Sequence, residues 1–251
     1  MVEKKKTKKT RSRSPEKKAQ QFERILEVGK QFFQEHEHER FTLKGLARDL
    51  DMNENNLYNY VESKRELWIA IRKKFYEIFR DENREIIKKS SNSGESNLDT
   101  LLKIFTHFFE FAEKDFAAFR MMHIVRAPLS DKLGPFEKEY KPFYYLDGTT
   151  RLIQKAIVSG EIKEKNAALL SFFMYSVLLG ATWVEKIIRD IEEQRSKNEE
   201  EIEEHTQFGT QGFTSKEFRE YTLLKIQKGF VGSDLIVEEF EYKNKCEKKE
   251  I

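Results

Sequence analysis

Cysteine, proline and glycine are scarce in this chain of 251 residues, which contains one Cys, 4 Pro and 11 Gly. The single cysteine, Cys246, excludes a disulfide framework and a multi-cysteine zinc site, and it favours a reducing, intracellular setting. The few glycines and prolines leave little material for tight turns, whereas Lys, Glu and Leu, which favour helices, are abundant. There is no alternating strand pattern and no repeat of fixed period. These absences predict an all-α protein.

Positive charge is concentrated at the N-terminus. The whole chain has 46 basic and 44 acidic residues, a formal net charge of +2. Residues 1–18 hold nine basic and two acidic groups, net +7, so that the remaining 233 residues carry −5. This segment has no apolar run and no amphipathic face, which excludes a secretory signal peptide and an organelle-targeting helix. Two interpretations stay open, a solvated disordered tail and a phosphate-binding arm.

One segment, residues 166–184, contains 19 residues without a formal charge. As a helix it would extend roughly 28 Å, barely the hydrocarbon core of a bilayer. A membrane span and a helix packed on all sides by protein give the same signal. Polar residues within the segment and basic residues at both ends favour the packed helix, so we expect no membrane partner.

Helical periodicity and capping signals divide most of the chain into helices. Ser14-Pro15 predicts the start of the first helix, and residues 90–96 read as a loop. A helix is expected over 136–159, bent at Pro142 and ended by Gly160. The last helix has a capping box, Thr214 with Glu217, and two apolar stripes on nearly opposite sides. Two stripes imply that this helix is buried between two layers, for instance between its own domain and a second subunit.

The most specific pattern extends from Thr42 to Leu67. Two short helices are predicted near 43–50 and 54–60, and Asp51 occupies the turn because Asp tolerates the left-handed conformation. Asn53 is expected to cap the second helix, and Ser63 with Glu66 forms a capping box that opens a long third one. Two short helices joined by a tight turn constitute a helix-turn-helix.

Residues 20–68 resemble the DNA-binding domain of the TetR family of transcriptional regulators. The first helix ends in the pair Phe32 and Phe33, and Thr42 opens the second helix, which contains Leu46-Ala47. The recognition helix contains Leu57-Tyr58, and Ser63-Lys64 with Leu67 opens the fourth helix. It implies an N-terminal helix-turn-helix domain and a larger helical ligand-binding and dimerisation domain. We therefore expect a basic arm at 1–18, a DNA-binding domain at 19–68, an effector and dimerisation domain at 69–232, and a charged tail at 233–251.

Candidate DNA contacts follow from the residue types and from the resemblance. Amide side chains suit bidentate pairing with adenine, which selects Asn53, Asn55, Asn56 and Asn59. The resemblance implies phosphate contacts at Thr42, Lys44, Tyr58, Tyr60 and Lys64. Glu54 departs from the family pattern, and it either accepts from a cytosine amino group or interacts with the helix dipole.

The basic arm gains a role from the charge of the domain beside it. Residues 19–68 have seven basic and ten acidic groups, net −3, which is poor for DNA affinity. Adding residues 1–18 brings the total to +4. We therefore favour the arm as a DNA contact, in an adjacent minor groove, through Lys8, Lys9, Arg11 and Arg13.

The remainder of the chain offers candidates for a ligand pocket and for a dimer interface. A hydrophobic or amphipathic effector is expected among the Phe-rich helices, and an acyl chain or acyl thioester is one specific hypothesis. The pocket candidates are Phe105, Phe108, Phe109, Phe119, Met122, His123, Arg126, Tyr144 and Trp183, with His107, Tyr145 and Arg151 as further polar anchors. The dimer candidates are Phe172, Leu179, Trp183, Phe218, Tyr221 and Leu224.

No catalytic or metal-binding pattern stands out in the sequence. His36 and His38 have no further partner at metal spacing, and no phosphate loop or nucleophile elbow is present, so we expect no enzyme activity, cofactor or metal. The sequence predicts a cytoplasmic, homodimeric regulator that binds double-stranded DNA, in most cases as a repressor, and is released by a small-molecule effector. Two rivals stay open: a small-molecule-binding dimer with a degenerate DNA-reading domain, and a membrane-attached sensor that uses residues 166–184.

Overall fold

The computed structural model describes residues 14–35, 42–130, 132, 134–197 and 213–231, and these form ten α-helices and one short 3-10 helix, without a strand. The prediction of an all-α protein is confirmed. The chain divides into two compact units, one of residues 1–92 and 106–147, the other of residues 93–105 and 148–251. The first unit joins the helix-turn-helix to helices that follow it, while the functional boundaries at 18, 68 and 232 stay predictions.

The first unit is built on two long helices and several short ones. These are α1 (Pro15–Glu35), α2 (Leu43–Asp49), α3 (Glu54–Leu57), α4 (Lys64–Asn92), α6 (Phe116–His123) and α7 (Pro135–Glu139), together with a 3-10 helix at Tyr144–Leu146. The second half of α5 (Asn97–Lys114) also belongs to this unit. As predicted, α1 begins at Pro15, where the Ser14 hydroxyl accepts from the Lys17 amide at 3.4 Å. Its apolar stripe, which includes Ile25, is buried.

Three local predictions for this unit need correction. The expected loop at 90–96 begins later, because α4 continues to Asn92 and buries Ser90. The expected helix over 136–159 is broken into α7, the 3-10 helix and α8 (Asp147–Val158), since Tyr140 is extended and Phe143 adopts a left-handed φ of 61°. Only half of the Ser63–Glu66 capping box forms: the Ser63 hydroxyl accepts from the Glu66 amide at 3.1 Å, but the Glu66 carboxylate binds elsewhere.

The second unit contains the start of α5, α8, α9 (Ala167–Lys197) and α10 (Ser215–Val231). Gly160 ends α8 with φ 76°, a left-handed conformation that glycine adopts without strain, as predicted. The Thr214–Glu217 capping box is reciprocal, since the Glu217 carboxylate accepts from the Thr214 amide at 2.7 Å and the Thr214 hydroxyl from the Glu217 amide at 3.2 Å. This prediction is confirmed.

Helix α9 has one buried face and one exposed face. Met174, Leu178 and Ile188 lie on the buried face, together with Glu185, whose carboxylate pairs with Arg219 of α10. Only 28% of its most apolar stretch is buried, so the expectation that this segment is packed on all sides is wrong for the single chain. By length and composition α9 is the one described helix that is long and apolar enough to cross a membrane.

Candidate nucleic-acid interface and ligand cavity

The helix-turn-helix is held in shape by three local features. The Thr42 hydroxyl accepts from the Gly45 amide at 3.0 Å and opens α2. The turn that follows contains Asp51 at φ 51°, the left-handed conformation that the sequence predicted. Asn53 then opens α3 by accepting from the Asn55 amide at 2.9 Å, and Leu57 is fully buried beneath the helix. Because α3 is anchored by its apolar side, its polar side is directed outward.

The predicted DNA contacts lie on the surface of this domain. Seven of the ten are exposed, namely Thr42, Lys44, Asn53, Asn55, Asn56, Tyr58 and Asn59, and three are half-buried, namely Glu54, Tyr60 and Lys64. Tyr60 stacks on Phe22 of α1 with ring centroids 6.0 Å apart, which fixes its position in the turn after α3. Asn53 and Thr42 are also capping residues, so part of their hydrogen-bonding capacity is used. The arm candidates Lys8, Lys9, Arg11 and Arg13 lie outside the described residues.

The first turn of α4 is bound to the segment that connects α6 and α7. The Glu66 carboxylate is fully buried and accepts from the amides of Glu137 at 2.8 Å and Phe136 at 3.3 Å, the first turn of α7. The Arg65 guanidinium donates to both carboxylate oxygens of Glu137, at 2.6 and 2.7 Å, and to the Pro128 carbonyl at 3.3 Å. A carboxylate at a helix N-terminus is favourable because it meets unpaired amides and the positive end of the dipole.

Two turns further along α4, aromatic side chains surround one cation. The Arg72 guanidinium stacks on the Trp68 ring, 4.4 Å from its centroid, and donates to the Tyr140 hydroxyl at 2.9 Å and to the Met122 carbonyl. A cavity of about 200 Å³, its open mouth included, lies beside this cation. Its walls come from α4, α6 and the 3-10 helix, and the lining residues are Arg72, Tyr76, Met122, His123, Tyr144 and Tyr145.

The cavity combines one positive charge with neutral hydrogen-bonding groups. Desolvation, reinforced by the nearby Arg72 charge, lowers the pKa of His123 to about 3, so its imidazole is neutral at physiological pH. Burial, with Tyr76 close by, raises the pKa of the Tyr144 hydroxyl to about 12, which keeps it protonated. The Tyr76 and Tyr144 rings meet edge to face with centroids 4.5 Å apart. A ligand here would meet hydroxyl donors, an imidazole and a guanidinium.

The predicted pocket residues divide into three groups. Met122, His123 and Tyr144 line the cavity, and the further anchor Tyr145 does so too. Phe108 and Phe119 pack behind His123, with ring centroids 5.2 and 4.9 Å away. The other candidates do not line the cavity. In the first unit Phe109 is part of the core, Arg126 is exposed, and His107 contacts Glu82 and Asn83. The second unit contains the remaining three, Phe105, Arg151 and Trp183.

Two residues of this cavity were missed by sequence reasoning, Arg72 and Tyr76, both on α4. The signal that could have found them is spacing, because Trp68, Arg72 and Tyr76 recur every four residues and form a polar-aromatic stripe along α4. This stripe resembles the amphipathic surface of an ordinary exposed helix, and only the position of α6 beside it makes it the wall of a cavity.

The dimer candidates occupy the exposed faces of α9 and α10. Four of the six are exposed, Phe172, Trp183, Tyr221 and Leu224, and Leu179 and Phe218 are half-buried. Other large apolar side chains continue this exposed surface of α9, among them Leu169, Phe173, Val184 and Ile187. On α10 the opposite stripe is buried, and Phe230 packs on Phe105 with ring centroids 6.1 Å apart.

Among the described residues there is no cluster of three or more His, Cys, Asp or Glu that could hold a metal ion. His36, His38 and Cys246 lie outside the described part of the chain.

Comparison with solved structures finds this fold in transcription regulators at low sequence identity. A protein of Shewanella sp. PV-4 described as a TetR-family regulator matches with a TM-score of 0.57 at 16% identity, over 82% of this chain and 96% of its own. FadR of Bacillus subtilis, solved with stearoyl-CoA, matches with a TM-score of 0.55 at 13% identity, over 83% and 98%. AibR, solved with isovaleryl coenzyme A and operator DNA, matches with a TM-score of 0.56 at 13% identity, over 85% and 100%.

No protein-family model and no curated protein sequence matches the chain. The resemblance to TetR-family regulators, predicted from residues 20–68, is confirmed as a resemblance of fold that extends over most of the chain.

Proposed function

We propose that this protein is a homodimeric, ligand-responsive transcriptional regulator that binds double-stranded DNA in the cytoplasm. The observation that carries the proposal is the outward surface of α3 and of the turn that follows it. Asn55 and Asn56 on the helix and Asn59 in the turn are exposed, while Asn53 caps the start of the helix and the fully buried Leu57 anchors it. A row of amides on a rigid recognition helix suits base reading, because each amide can donate and accept in the major groove.

The geometry of binding follows from the two-fold symmetry of a dimer. Each subunit would place α3 in one major groove, with half-sites separated by about one helical turn, ~34 Å. The exposed apolar faces of α9 and α10 are the surface that we assign to dimerisation, because large apolar side chains exposed together on two packed helices indicate an interaction site. A bundle of these two helices from each subunit would bury both stripes of α10.

The cavity beside Arg72 is the site that we assign to the effector. FadR and AibR, which share the fold, were solved with acyl-coenzyme A molecules, and this supports the hypothesis of an acyl thioester here. A thioester carbonyl or an anionic group would find the guanidinium and the hydroxyl donors. Because the volume of about 200 Å³ includes the open mouth, the enclosed space is far below the roughly 300 Å³ at which ligand pockets begin, so binding requires the helices around it to separate.

Such a separation would reach the DNA-binding domain through α4. Arg72 and Tyr76 line the cavity, whereas Arg65 and Glu66, two turns earlier in the same helix, bind the first turn of α7. A ligand that binds better to the open cavity would therefore favour a different position of the first turn of α4, which follows α3 directly. We propose that this displaces the recognition helices and releases the DNA, so that the protein acts as a repressor.

The proposal is tested by selecting duplexes from a random library with the purified protein and measuring their affinity. We expect a two-fold symmetric site, and Asn55→Ala and Asn56→Ala should each cost about 1–3 kcal/mol of discrimination at one base pair. Gln154→Ala, which removes an exposed amide from α8, serves as the matched control and should bind like the wild type. Failure to select any site would favour the rival with a degenerate DNA-reading domain.

Effector binding is tested separately by thermal unfolding with isovaleryl-CoA and stearoyl-CoA. A ligand at a hundred times its Kd adds about 2.7 kcal/mol to the free energy of unfolding, and it should also dissociate the selected duplex. Coenzyme A alone is the control for the polar portion. A shift with coenzyme A equal to that with the acyl thioesters would reject the acyl group as the recognised element.

A membrane-attached sensor is the second candidate, because α9 is long, apolar and only partly buried in the single chain. Fractionation without detergent distinguishes the two. A dimer that covers this face stays in the supernatant, whereas a span through α9 sediments with membranes.

A further inference from the structure

A basic side chain from outside the helix-turn-helix lies beside the end of the recognition helix. Lys132 Nζ is 5.9 Å from the centroid of the Tyr58 ring, and Tyr58 is the exposed residue that ends α3. Lys132 is exposed and belongs to the segment between α6 and α7, more than seventy positions along the chain from Tyr58. Within the described part of the chain its ammonium group has no carboxylate partner, although Asp131, its neighbour in sequence, lies outside that part.

The backbone around Lys132 is held in place on both sides. The Ser130 hydroxyl accepts from the Lys132 amide at 3.1 Å and donates to its carbonyl at 3.3 Å. Before this turn, the Pro128 carbonyl is bound by Arg65, and after it, the first turn of α7 is bound by the buried Glu66 carboxylate. Both anchors belong to the first turn of α4, which follows the recognition helix directly. Because these hydrogen bonds already restrain the described backbone on either side of Lys132, a contact made by Lys132 costs little additional backbone entropy.

The domain that contains α3 has little positive charge to offer DNA, since residues 19–68 hold seven basic and ten acidic residues. Of the seven basic residues in 19–68, Lys30 is buried and paired with Asp115 at 2.6 Å, and Arg65 is paired with Glu137. These two cations cannot reach a phosphate without leaving a carboxylate. Lys132, which comes from another part of the chain, therefore adds positive charge at the end of α3, where the duplex backbone would pass.

We propose that Lys132 is a DNA-backbone contact, a phosphate ligand supplied to the recognition helix by the segment between α6 and α7. The inference rests on the proposed function, because it requires α3 to enter a groove. A duplex that is touched by the Tyr58 hydroxyl passes within reach of the Lys132 ammonium group, and lysine binds phosphate as a point charge. The contact carries no base information, so it would strengthen binding to all duplexes alike.

The test is the salt dependence of binding, measured on a selected duplex of roughly 30 bp, long enough for two half-sites one helical turn apart. Lys132→Met keeps an apolar side chain on the Tyr58 ring but removes the charge. Each lost phosphate contact reduces the slope of log K against log salt by about 0.9 per subunit. Raising the salt concentration fourfold should therefore cost the wild type about 3.5-fold more affinity per subunit than it costs the variant.

Two further variants separate a phosphate contact from a general effect of charge or of packing. Lys155→Met removes one exposed lysine from α8 in the second unit and should leave the slope unchanged, whereas Lys132→Arg should restore it. A slope for Lys132→Met equal to that of the wild type, with duplex binding intact, overturns this inference and leaves the proposed function standing. Absence of duplex binding by the wild type overturns the proposed function and this inference with it.

Discussion

Glu66→Ala removes the buried carboxylate that joins the first turn of α4 to the first turn of α7. The side chain is fully buried and accepts from the amides of Phe136 and Glu137. It is also closely enclosed, because a Cβ added to Gly134 would lie 2.3 Å from the Glu66 Cδ atom. The carboxylate therefore occupies a space that exists only because residue 134 has no side chain, and Gly134→Ala should displace it.

The magnitude follows from the two hydrogen bonds. Bonds to a charged group contribute about 1.5–3 kcal/mol each, so Glu66→Ala should lower the free energy of unfolding by about 3–5 kcal/mol. In a protein of this size about 3 kcal/mol corresponds to a fall of roughly 6–12 °C in Tm. Glu66→Gln keeps one acceptor oxygen and should cost about half as much. Gly134→Ala should cost about 1–3 kcal/mol through overpacking, and little when Glu66 is already alanine.

The assay is urea unfolding monitored by circular dichroism, with amide hydrogen exchange at Glu137 as the local measurement. Glu62→Ala, an exposed carboxylate four residues earlier, is the matched control and should change stability by no more than about 0.5 kcal/mol. If Glu66 instead completed the capping box with the Ser63 amide, Gly134→Ala would be tolerated and exchange at Glu137 would not respond to Glu66→Ala. Either result would refute the reasoning, as would additive effects of the two substitutions.

Three other predictions concern buried charge, pH and assembly. Asp115→Ala removes the cap of α6 and one of the two carboxylate partners of the buried Lys30, the other being Glu27. The loss of the cap and of a charged hydrogen bond should lower the free energy of unfolding by about 3 kcal/mol in a urea titration, and a change below about 1 kcal/mol would contradict the pairing. His123 becomes protonated below pH 6.5 in the unfolded chain, but only near pH 3 in the folded chain, where burial lowers its pKa to about 3. The free energy of unfolding should therefore decrease as the pH is lowered from 6.5 to 3, and it should decrease less in His123→Gln. An imidazole NMR signal that titrates near pH 6.5 in the folded protein would disprove this prediction. Phe173→Glu, on the exposed face of α9, should convert a dimer to a monomer in analytical ultracentrifugation, while Val158→Glu on α8 should not; a monomeric wild type would remove the basis for this expectation.

Much of the fold and part of the site were readable from the sequence because they depend on neighbouring residues. Thr42, Asp51 and Asn53 act within three positions of themselves, as caps or as a left-handed turn, and their types indicate these roles. The reciprocal capping box at Thr214 has the same local character. Helical periodicity likewise predicted two apolar stripes on α10, and in the single chain one of them is buried and the other exposed.

Other features required the tertiary structure because their partners are distant in sequence. The Glu66 carboxylate could accept either from the nearby Ser63 amide or from the amides of Phe136 and Glu137, about seventy positions away. Because α7 packs against α4, it accepts from the distant pair. Arg72 and Tyr76 became walls of a cavity when α6 and the 3-10 helix were placed beside them, and Lys132 came to the end of α3 by the same packing. The sequence by itself determined most of the helices, several of their caps and the amide side chains on and after the recognition helix, since these follow from short-range sterics and hydrogen bonding. The tertiary structure alone decided which charged and aromatic side chains meet, because that choice depends on how the chain closes loops of many residues.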